Sequence, residues 1–391
     1  MRKIKILEVS GFSAGICGVW TRVRNESERL SKLGYEIRVF TSNIKRGSGK
    51  IEYAPTNDKL GDIKIKRFKT KGNFGENTYF WNFSKDAIEY SPDIIICHVY
   101  RQYFSTQALK IAKKLNIPCI LVTHAPFLEK KLRSRKLNTA VWIYDKFIGK
   151  KILNNYSKIF IITKWEVPSL KKLGVKENKI IYVPNGIPED FFNIKILKTK
   201  IKKEKEILFL GRIAPIKDIE TLLKALSLIK KENKNIKLNL VGPIEEDYKK
   251  ILDRLINKLK IKDLVKFSPA VFDIKEKIKI IDNSDIYVLP SKREGMPQSL
   301  IEAMSREKIV ITSDCEGGKE LVQENNGYIF KVGSSQDLAK KILEGLINSK
   351  ENKKIRENAR NSVKKFSWDV LIKRIDSILK QEVKKNESVN K

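Results

Sequence analysis

DIYVLPSKREGMPQSLIEAM, residues 285–304, is the stretch that decides the fold. Its apolar run at 285–290 predicts a buried strand, and the residues after Gly295 predict an amphipathic helix. Pro297 falls in the predicted first helical turn, where the N–H that it lacks would be unpaired anyway. The free amides of such a turn, together with the helix dipole, form a site for phosphate. The stretch therefore predicts a strand, a tight turn and a helix, with an anionic ligand at the turn.

Two carboxylates flank this turn. Glu294 precedes it, and Glu302 lies in the second turn of the predicted helix. Helical side chains point back towards the N-terminus, so Glu302 is expected to reach a hydroxyl-rich ligand at the turn. A surface acid and a complement to the helix dipole are the alternative roles for such a pair. The preceding strand and the intervening Gly295-Met296-Pro297 favour ligand binding.

Short apolar runs alternate with amphipathic helical stretches along the whole chain, which is typical of parallel βαβ units. Strands are predicted at 4–9, 35–40, 93–98, 119–123, 159–163, 206–210, 237–241, 265–267, 285–289, 309–312 and 327–330. Helices are predicted at 23–33, 106–115, 219–230, 248–259, 337–346 and 366–382. The pattern predicts an α/β protein with doubly wound sheets.

At 391 residues, two hydrophobic cores are expected. The alternation breaks near residues 187–206, where Lys and Ile dominate. We therefore predict an N-terminal domain at 1–190, a linker at 191–205 and a C-terminal domain at 206–365. Ligands of doubly wound domains bind at the carboxyl ends of the strands, so the site is expected in a cleft lined by those ends.

The chain carries 80 Lys and Arg against 46 Asp and Glu, a net charge of +34. Residues 1–200 hold 39 basic and 17 acidic residues, and residues 101–172 hold 16 and 3. One interpretation is an anionic partner for the first half: a membrane surface, nucleic acid or an acidic substrate. The other is a Lys-rich compositional bias on solvated faces. Both stay open at this point.

Residues 130–154 predict a basic amphipathic helix with Leu137, Val141, Tyr144 and Ile148 on one face. Packing of this face on a sheet is one interpretation, and docking to anionic lipid headgroups is the other.

Four cysteines, at positions 17, 97, 119 and 315, show no paired spacing, so neither a zinc site nor disulfides are expected. The N-terminal apolar run is too short for a signal peptide. No stretch approaches the roughly 18–20 apolar residues that span a bilayer. We expect a cytoplasmic protein that at most lies peripherally on the inner face of the membrane.

A second basic segment follows the predicted strand at 206–210. Arg212 and Lys217 stand five residues apart in the loop before a helix, where they can hold a diphosphate from two directions. Ordinary loop solubility is the alternative for Lys217. The position of Arg212 directly after a strand favours a binding role.

The first predicted strand is followed by SGFSAGICGV, residues 10–19, whose three glycines allow a phosphate to approach the backbone. The spacing is not the dinucleotide fingerprint, so no NAD or FAD is implied. The chain has two histidines, His98 and His124, each after a predicted strand. His124 is expected to bond a sugar hydroxyl or steady developing charge, whereas His98 equally well caps its strand.

Taken together, these segments resemble the GT-B glycosyltransferases, and specifically the retaining glycosyltransferase family 4, over nearly the whole chain. The most specific parts are 294–302, 211–217 and IIYVPNGI at 180–187. Trp165 and the Leu-Gly at 173–174 also fit the family's pattern. Cys17-Gly18 stands where the family usually has paired glycines, and Tyr35 stands where it usually has a histidine.

The resemblance implies two Rossmann-like domains that face a central cleft, with the final helix within 366–391 completing the N-terminal, acceptor-binding domain. Nucleotide-sugar binding then falls to 206–365. The implied catalytic residues are His124, at the reaction centre, and Glu294, which faces the donor sugar. The implied donor-binding residues are Gly18, Arg212, Lys217, Gly295, Met296, Pro297 and Glu302, with Glu302 on the ribose and Arg212 and Lys217 on the diphosphate.

The implied function is transfer of a sugar, with retained anomeric configuration, from a nucleotide diphosphate sugar to a glycan or lipid-linked acceptor. No Asp-x-Asp occurs in the chain, so neither a metal nor another cofactor is expected. A nucleotide-sugar epimerase of related architecture is the alternative. Nucleic-acid binding is suggested only by charge, because no base-stacking aromatic motif accompanies the basic runs, and no nucleic-acid partner is expected.

Overall fold

The computed structural model describes residues 2–15, 17–45, 52–74, 78–127, 134–196, 204–230, 235–347 and 349–389. The chain folds into two compact units. The first comprises residues 1–185 with 368–391, and the second comprises residues 186–367. Residues 197–203 of the predicted linker lie outside the described residues, so that linker stays a prediction.

The first unit is built on an eight-stranded sheet that is parallel except at one edge pair. Its strands, in spatial order, are Ile180–Tyr182, Lys158–Ile161, Cys119–Val122, Ile94–His98, Lys5–Val9, Glu36–Ser42, Ile63–Phe68 and Asn57–Leu60. Two small hairpins lie beside it, Ile44–Lys45 with Glu52–Tyr53 and Asn73–Phe74 with Thr78–Tyr79. Its central strands are almost wholly apolar and buried, as expected of strands covered on both faces.

The helices of the first unit are Gly18–Lys32, Ser84–Tyr90, Tyr103–Leu115, Arg135–Tyr144, Lys150–Ile152, Val167–Lys172 and Trp368–Val389. A π-helical turn, Asp145–Gly149, joins Arg135–Tyr144 to Lys150–Ile152. The C-terminal helix Trp368–Val389 belongs to this unit, and its Asp376 accepts a 2.7 Å hydrogen bond from the Tyr35 hydroxyl. Tyr35 is thus a structural contact.

The second unit is built on a six-stranded, fully parallel sheet. Its strands, in spatial order, are Val265–Ser268, Ile236–Val241, Lys205–Leu210, Ile286–Leu289, Ile309–Ser313 and Tyr328–Phe330. Its helices are Asp190–Asn193, Ile219–Lys230, Glu246–Leu259, Ile274–Asn283, Gln298–Ser305, Glu316–Leu321, Ser335–Leu346 and Lys350–Val363.

All eleven predicted strands form, each with ends within two residues of the prediction, and the predicted α/β class with two parallel sheets is confirmed. The strands at 44–45, 52–53, 57–60, 63–68, 73–74, 78–79 and 180–182 were not predicted. The predicted apolar face of residues 130–154 is partly wrong. Leu137 and Ile148 are exposed whereas Val141 and Tyr144 are partly buried, and the π-helical turn Asp145–Gly149 changes the helical phase before Ile148. Residues 130–133 lie outside the described residues.

Each sheet has a switch point, where the chain reverses the direction in which it adds strands. In the first unit it lies between Lys5–Val9 and Ile94–His98, and in the second between Lys205–Leu210 and Ile286–Leu289. Ligands of doubly wound sheets bind at the carboxyl ends of the strands at such points. Arg212, Lys217 and residues 294–297 follow the two switch-point strands of the second unit. His124 follows Cys119–Val122, and Gly18 and Glu302 lie in helices. Among the described residues, no helix is long and apolar enough to cross a membrane.

Candidate functional site

Two loops meet tightly beside the switch point of the second unit, at the carboxyl ends of Lys205–Leu210 and Ile236–Val241. The loop after Lys205–Leu210 begins with Gly211, whose φ is +152°, in the region that favours glycine. A Cβ on Gly242, in the loop after the neighbouring strand, would lie 2.0 Å from the Gly211 carbonyl oxygen. Only glycine at position 242 therefore allows this close approach. The contact fixes the position of Gly211 and hence that of Arg212, the residue after it.

Arg212 points to a carboxylate. Its guanidinium donates to Glu245 Oε1 at 2.6 Å, and both side chains are about one-third exposed. A half-solvated ion pair of this kind contributes about 0–1 kcal/mol, so an incoming anion can replace Glu245 at little cost.

Lys217 and Glu294 lie together. Lys217 ends the short 3₁₀ turn Pro215–Lys217, and its ammonium group donates to Glu294 Oε1. The Ser291 hydroxyl donates to the same oxygen at 2.6 Å. Both partners of the ion pair are mostly shielded from solvent. The structure thus brings the predicted diphosphate-binding lysine into contact with the acid predicted to face the donor sugar.

Glu302 is held by Lys277, a residue that the sequence analysis did not identify. The Lys277 ammonium donates to Glu302 Oε1 at 3.0 Å, and Glu302 is 6 % exposed. Its helix is Gln298–Ser305, so the prediction that Pro297 lies in the first helical turn is wrong by one residue. Pro297 has an extended ψ of 108° and precedes the helix as its N-cap residue. The Tyr287 hydroxyl donates to Ser299 Oγ at 2.7 Å and ties this helix to the preceding strand.

Gly317 fixes the loop that contains Glu294 and Gly295. A Cβ on Gly317 would lie 2.4 Å from the Gly295 carbonyl oxygen and 2.6 Å from that of Glu294. Met296, the next predicted donor-binding residue, is buried against the unit. The Gly-Gly pair at 317–318 was a visible signal for close backbone approach, and the sequence analysis did not use it.

A hydrogen-bonded chain of three side chains crosses the switch point of the first unit. His124 Nε2 lies 2.9 Å from His98 Nδ1, and His98 Nε2 lies 2.8 Å from Glu8 Oε2. Glu8 and His98 are fully buried, and His124 is partly exposed. His98 therefore does more than cap its strand. Glu8, an acid inside the apolar strand Lys5–Val9, was the available signal for this chain and was missed.

Burial controls the protonation of this chain. It raises the pKa of Glu8 to about 8, while the nearby Arg22 opposes that rise. It lowers the pKa of His98 to about 3 and holds the pKa of His124 well below its usual value. Arg22 itself is buried, and it donates to Glu26 and to the carbonyl oxygen of Val183. Both histidines are thus neutral at physiological pH.

The backbone around His124 is unusual. His124 has φ +58° and Ala125 has φ +52°, the left-handed region that non-glycine residues seldom adopt. The buried Glu166 supports them by accepting from the Ala125 N–H at 3.1 Å, while its other oxygen accepts from the Ile162 and Thr163 amides. Such strained positions cluster at functional sites.

Gly18 starts the helix Gly18–Lys32, with Cys17 as N-cap residue. Apart from its chain neighbours and its own helix backbone, no described residue has an atom within 4 Å of the position that a Cβ on Gly18 would occupy, so packing among the described residues does not require glycine there. The four cysteines are buried free thiols. Within the described ranges, no group of three or more His, Cys, Asp and Glu side chains is placed to hold a metal ion.

The predicted residues fall into two sets. Arg212, Lys217, Glu302 and 294–297 surround the switch point of the second unit, and His124 and Gly18 lie in the first unit. Lys217 contacts Glu294 directly, whereas Arg212 pairs with Glu245. Glu245 and Lys277 were missed, because each comes from an element that is distant in sequence from its partner.

Comparison with known proteins identifies the family. Residues 16–191 match the model of Glycosyltransferase Family 4, and residues 191–362 match that of Glycosyl transferases group 1. An uncharacterised glycosyltransferase of Methanocaldococcus jannaschii is 27% identical over 98% of this chain and 100% of its own length. The capsular polysaccharide biosynthesis glycosyltransferase CapH of Staphylococcus aureus is 31% identical over 78% of this chain and 81% of its own.

A solved structure supports the fold. The Anabaena protein HepE, crystallised with UDP and glucose, superposes with a TM-score of 0.74 at 18% identity, covering 97% of this chain and 100% of HepE. At 18% identity this structural similarity shows the fold alone, and it confirms the GT-B architecture. With both halves matched by family models and CapH matched over most of its length, the chain belongs to glycosyltransferase family 4.

Proposed function

We propose that this glycosyltransferase moves a sugar from a nucleotide diphosphate sugar to a glycan or lipid-linked acceptor, with retained configuration and without a metal ion. The observation that carries the proposal is the cluster at the switch point of the second unit. Two carboxylates, Glu294 and Glu302, are each held by a lysine beside a helix N-terminus, and Arg212 begins the neighbouring loop. Anions and sugar hydroxyls are the ligands that such a cluster binds.

Glu302 is the proposed ribose ligand. Lys277 holds its Oε1, and its Oε2 is proposed to accept from the ribose hydroxyl groups. A hydrogen bond to a charged acceptor contributes roughly 1.5–3 kcal/mol. Loss of Glu302 should therefore weaken donor binding by about 10- to 150-fold, since roughly 1.4 kcal/mol corresponds to tenfold.

The diphosphate is proposed to lie against Arg212 and Lys217, with help from the amides around Gly295 and Met296 and an approach by Gly18. In this scheme Arg212 and Lys217 replace a metal ion, because their fixed positive charge stabilises the departing diphosphate. Glu294 is proposed to face the donor sugar, and His124 the reacting centre. Activity in excess EDTA equal to that in Mg²⁺ supports the metal-independent scheme. Loss of activity in EDTA with recovery on adding Mg²⁺ overturns it.

The acceptor is proposed to be part of an envelope glycan or its lipid-linked precursor. CapH is named for capsular polysaccharide biosynthesis, and HepE was solved with UDP and glucose. These names make a UDP-sugar the first donor to test.

An exposed face of the first unit supports a membrane-linked acceptor. Five large apolar side chains between residues 137 and 148 are exposed: Leu137, Trp142, Ile143, Phe147 and Ile148. Five exposed cations lie among them: Arg135, Lys136, Lys146, Lys150 and Lys151. Asp145, the acid between them, is held by Arg101 through two hydrogen bonds of 2.7 and 2.8 Å. We call these ten residues the basic apolar face, and its chemistry matches anionic phospholipid headgroups over acyl chains.

Vesicle co-sedimentation tests this membrane contact. The protein should bind vesicles containing phosphatidylglycerol at low salt and not pure phosphatidylcholine, and the double change Trp142→Ser with Phe147→Ser should abolish binding. Phe272→Ser is the matched control, because Phe272 is 76% exposed in the other unit. Equal binding by the double variant, or dimerisation through this face without vesicle binding, contradicts the proposal.

A thermal-shift screen against UDP, GDP, ADP and their common sugars tests the donor, because a ligand that binds the folded state stabilises it. Arg212→Ala and Glu302→Ala should lose the shift, while the exposed Arg254→Ala and Glu324→Ala should keep it. Normal donor binding and turnover by both site variants would refute these roles. Conversion of the donor without any acceptor would instead indicate the epimerase.

A further inference from the structure

The chain Glu8–His98–His124 links a fully buried acid to the partly exposed ring of His124. Both contacts have hydrogen-bond length, 2.8 Å between Glu8 Oε2 and His98 Nε2, and 2.9 Å between His98 Nδ1 and His124 Nε2. Glu8 lies inside Lys5–Val9, His98 ends Ile94–His98 and His124 follows Cys119–Val122, and these three parallel strands are adjacent in the sheet. His124 Nε2 is thereby occupied, so a hydrogen bond from this ring to a ligand would be made by Nδ1.

Two proton arrangements satisfy this geometry with both rings neutral. When Glu8 carries a proton, it donates to His98 Nε2, His98 Nδ1–H donates to His124 Nε2, and His124 Nδ1–H is a donor. When Glu8 is ionised, it accepts from His98 Nε2–H, His98 Nδ1 accepts from His124 Nε2–H, and His124 Nδ1 is an acceptor. A neutral imidazole has one donor and one acceptor nitrogen, so no mixed arrangement makes both bonds.

We propose that Glu8 and His98 are positioning residues that set the tautomer of His124, so that the proton on Glu8 decides whether His124 Nδ1 donates or accepts. The proposal rests on the proposed role of His124 at the reacting centre. The step balances as a relay in which the Glu8 proton moves to His98 Nε2, the His98 Nδ1 proton moves to His124 Nε2, and the His124 Nδ1 proton is lost to solvent. Each ring thus changes tautomer and stays neutral.

The surroundings favour a neutral Glu8 near pH 7. Its second oxygen, Oε1, is buried without a hydrogen-bond partner among the described residues, which disfavours the ionised form. Burial raises the pKa of Glu8 to about 8. The charged groups that face the chain are Arg22 and Glu26, both on the helix Gly18–Lys32. Arg22 lowers the pKa of Glu8 but does not offset its burial.

The consequence is a defined hydrogen-bonding role for His124. Below the pKa of Glu8, His124 Nδ1–H can donate to a sugar hydroxyl or to an oxygen on which negative charge develops. Above it, the same nitrogen accepts instead, and that stabilisation is lost. The neighbouring Glu166 accepts from the Ala125 N–H next to the ring, and burial raises the pKa of Glu166 to about 7, so Glu166 is ionised at the pH of the proposed exchange.

Nitrogen-15 NMR of the histidine rings tests the proposal without any assay of transfer. The chain has two histidines, so four ring-nitrogen signals report the tautomer and the charge of both rings. Between pH 6 and 9.5, both rings should exchange tautomers together around pH 8 while remaining neutral. In Glu8→Gln neither should change over this range. Glu26→Gln, the matched control from the same buried cluster, should keep the transition at a shifted pH.

Three results would overturn the proposal. Either ring could become an imidazolium in this range, the two rings could change independently, or the transition could survive in Glu8→Gln. The wild-type titration alone decides the first two, so the proposal stays testable if Glu8→Gln fails to fold. A pH profile of transfer should fall near pH 8 and flatten in Glu8→Gln. A tautomer exchange without that fall would leave the tautomer control intact and refute the role of His124.

Discussion

Gly317→Ala should damage donor binding by displacing the loop at 294–295. The added Cβ would lie 2.4 Å from the Gly295 carbonyl oxygen, and real Cβ contacts are essentially never under 3.0 Å. The loop at 294–295 must therefore retreat by at least about 0.6 Å, the difference between these distances. Both obstructing oxygens belong to the backbone, so no side-chain rotation relieves the contact.

The magnitude follows from two general costs. Overpacking a well-packed core costs typically about 1–3 kcal/mol of the free energy of unfolding. Displacing a binding group by about 1 Å costs roughly 100-fold in rate. Because Glu294 and the amides around Met296 move with the loop, kcat/KM should fall by about 10- to 100-fold, in addition to the loss of stability.

The assays are equilibrium urea unfolding and donor titration of wild type, Gly317→Ala and Gly327→Ala. Gly327 is a matched control, because its Cβ would meet the side chains of Val310 and Val322 at 2.7 and 2.8 Å, away from the loop. Gly327→Ala should lose comparable stability and keep donor affinity within about twofold of wild type. Gly317→Ala binding donor as tightly as Gly327→Ala would refute the argument that Gly317 sets the loop.

Three further predictions concern single side chains. Glu245→Gln frees Arg212 from its ion pair. The affinity for a nucleoside diphosphate, measured by calorimetric titration, should therefore rise by about 1.4- to 5-fold, which corresponds to about 0.2–1 kcal/mol. Unchanged or weaker binding would count against a phosphate role for Arg212. Gly18→Ala should lower kcat/KM with the free energy of unfolding unchanged, because no described residue outside its chain neighbours and its own helix backbone has an atom within 4 Å of the added Cβ. Normal kcat/KM would remove Gly18 from the site. The pKa of Glu8 in the folded state, about 8, lies above its ordinary value of 4.5, so between these values the folded state binds one proton more than the unfolded state. The free energy of unfolding should therefore decline from pH 5 to pH 8, by at most about 1.4 kcal/mol per pH unit for this group. Glu8→Gln should flatten that slope in urea unfolding, and an unchanged slope would show that other groups cause it.

Buried parallel strands were predictable because they are continuous apolar runs bounded by loop residues, as Ile94–His98 and Ile309–Ser313 illustrate. Asn57–Leu60 was missed because its sequence, NDKL, is polar and mostly exposed and carries no alternation. The strands of two residues at 44–45 and 52–53 are too short to leave any pattern.

Some contacts of the candidate site were likewise predictable from the sequence, and others were not. The placement of Glu294, Gly295 and Glu302 around one helix N-terminus was predictable because the loop and helix that carry them are contiguous in sequence. The pairs Lys277–Glu302 and Arg212–Glu245 were not, because tertiary folding brings their members together from 25 and 33 residues apart. The role of His98 depended on Glu8, 90 residues away, and no local pattern connects them.

Transfer from a labelled donor by the purified protein tests the central claim most directly. Candidate UDP-sugars labelled in the sugar are incubated with glycan and lipid-linked acceptors, and the anomeric configuration of the product is read by NMR. The account predicts that label moves only when acceptor is present, that the product keeps the donor's configuration, and that Glu302→Ala abolishes transfer while Glu324→Ala does not. An inverted product, conversion of the donor without acceptor, or normal transfer by Glu302→Ala would contradict it.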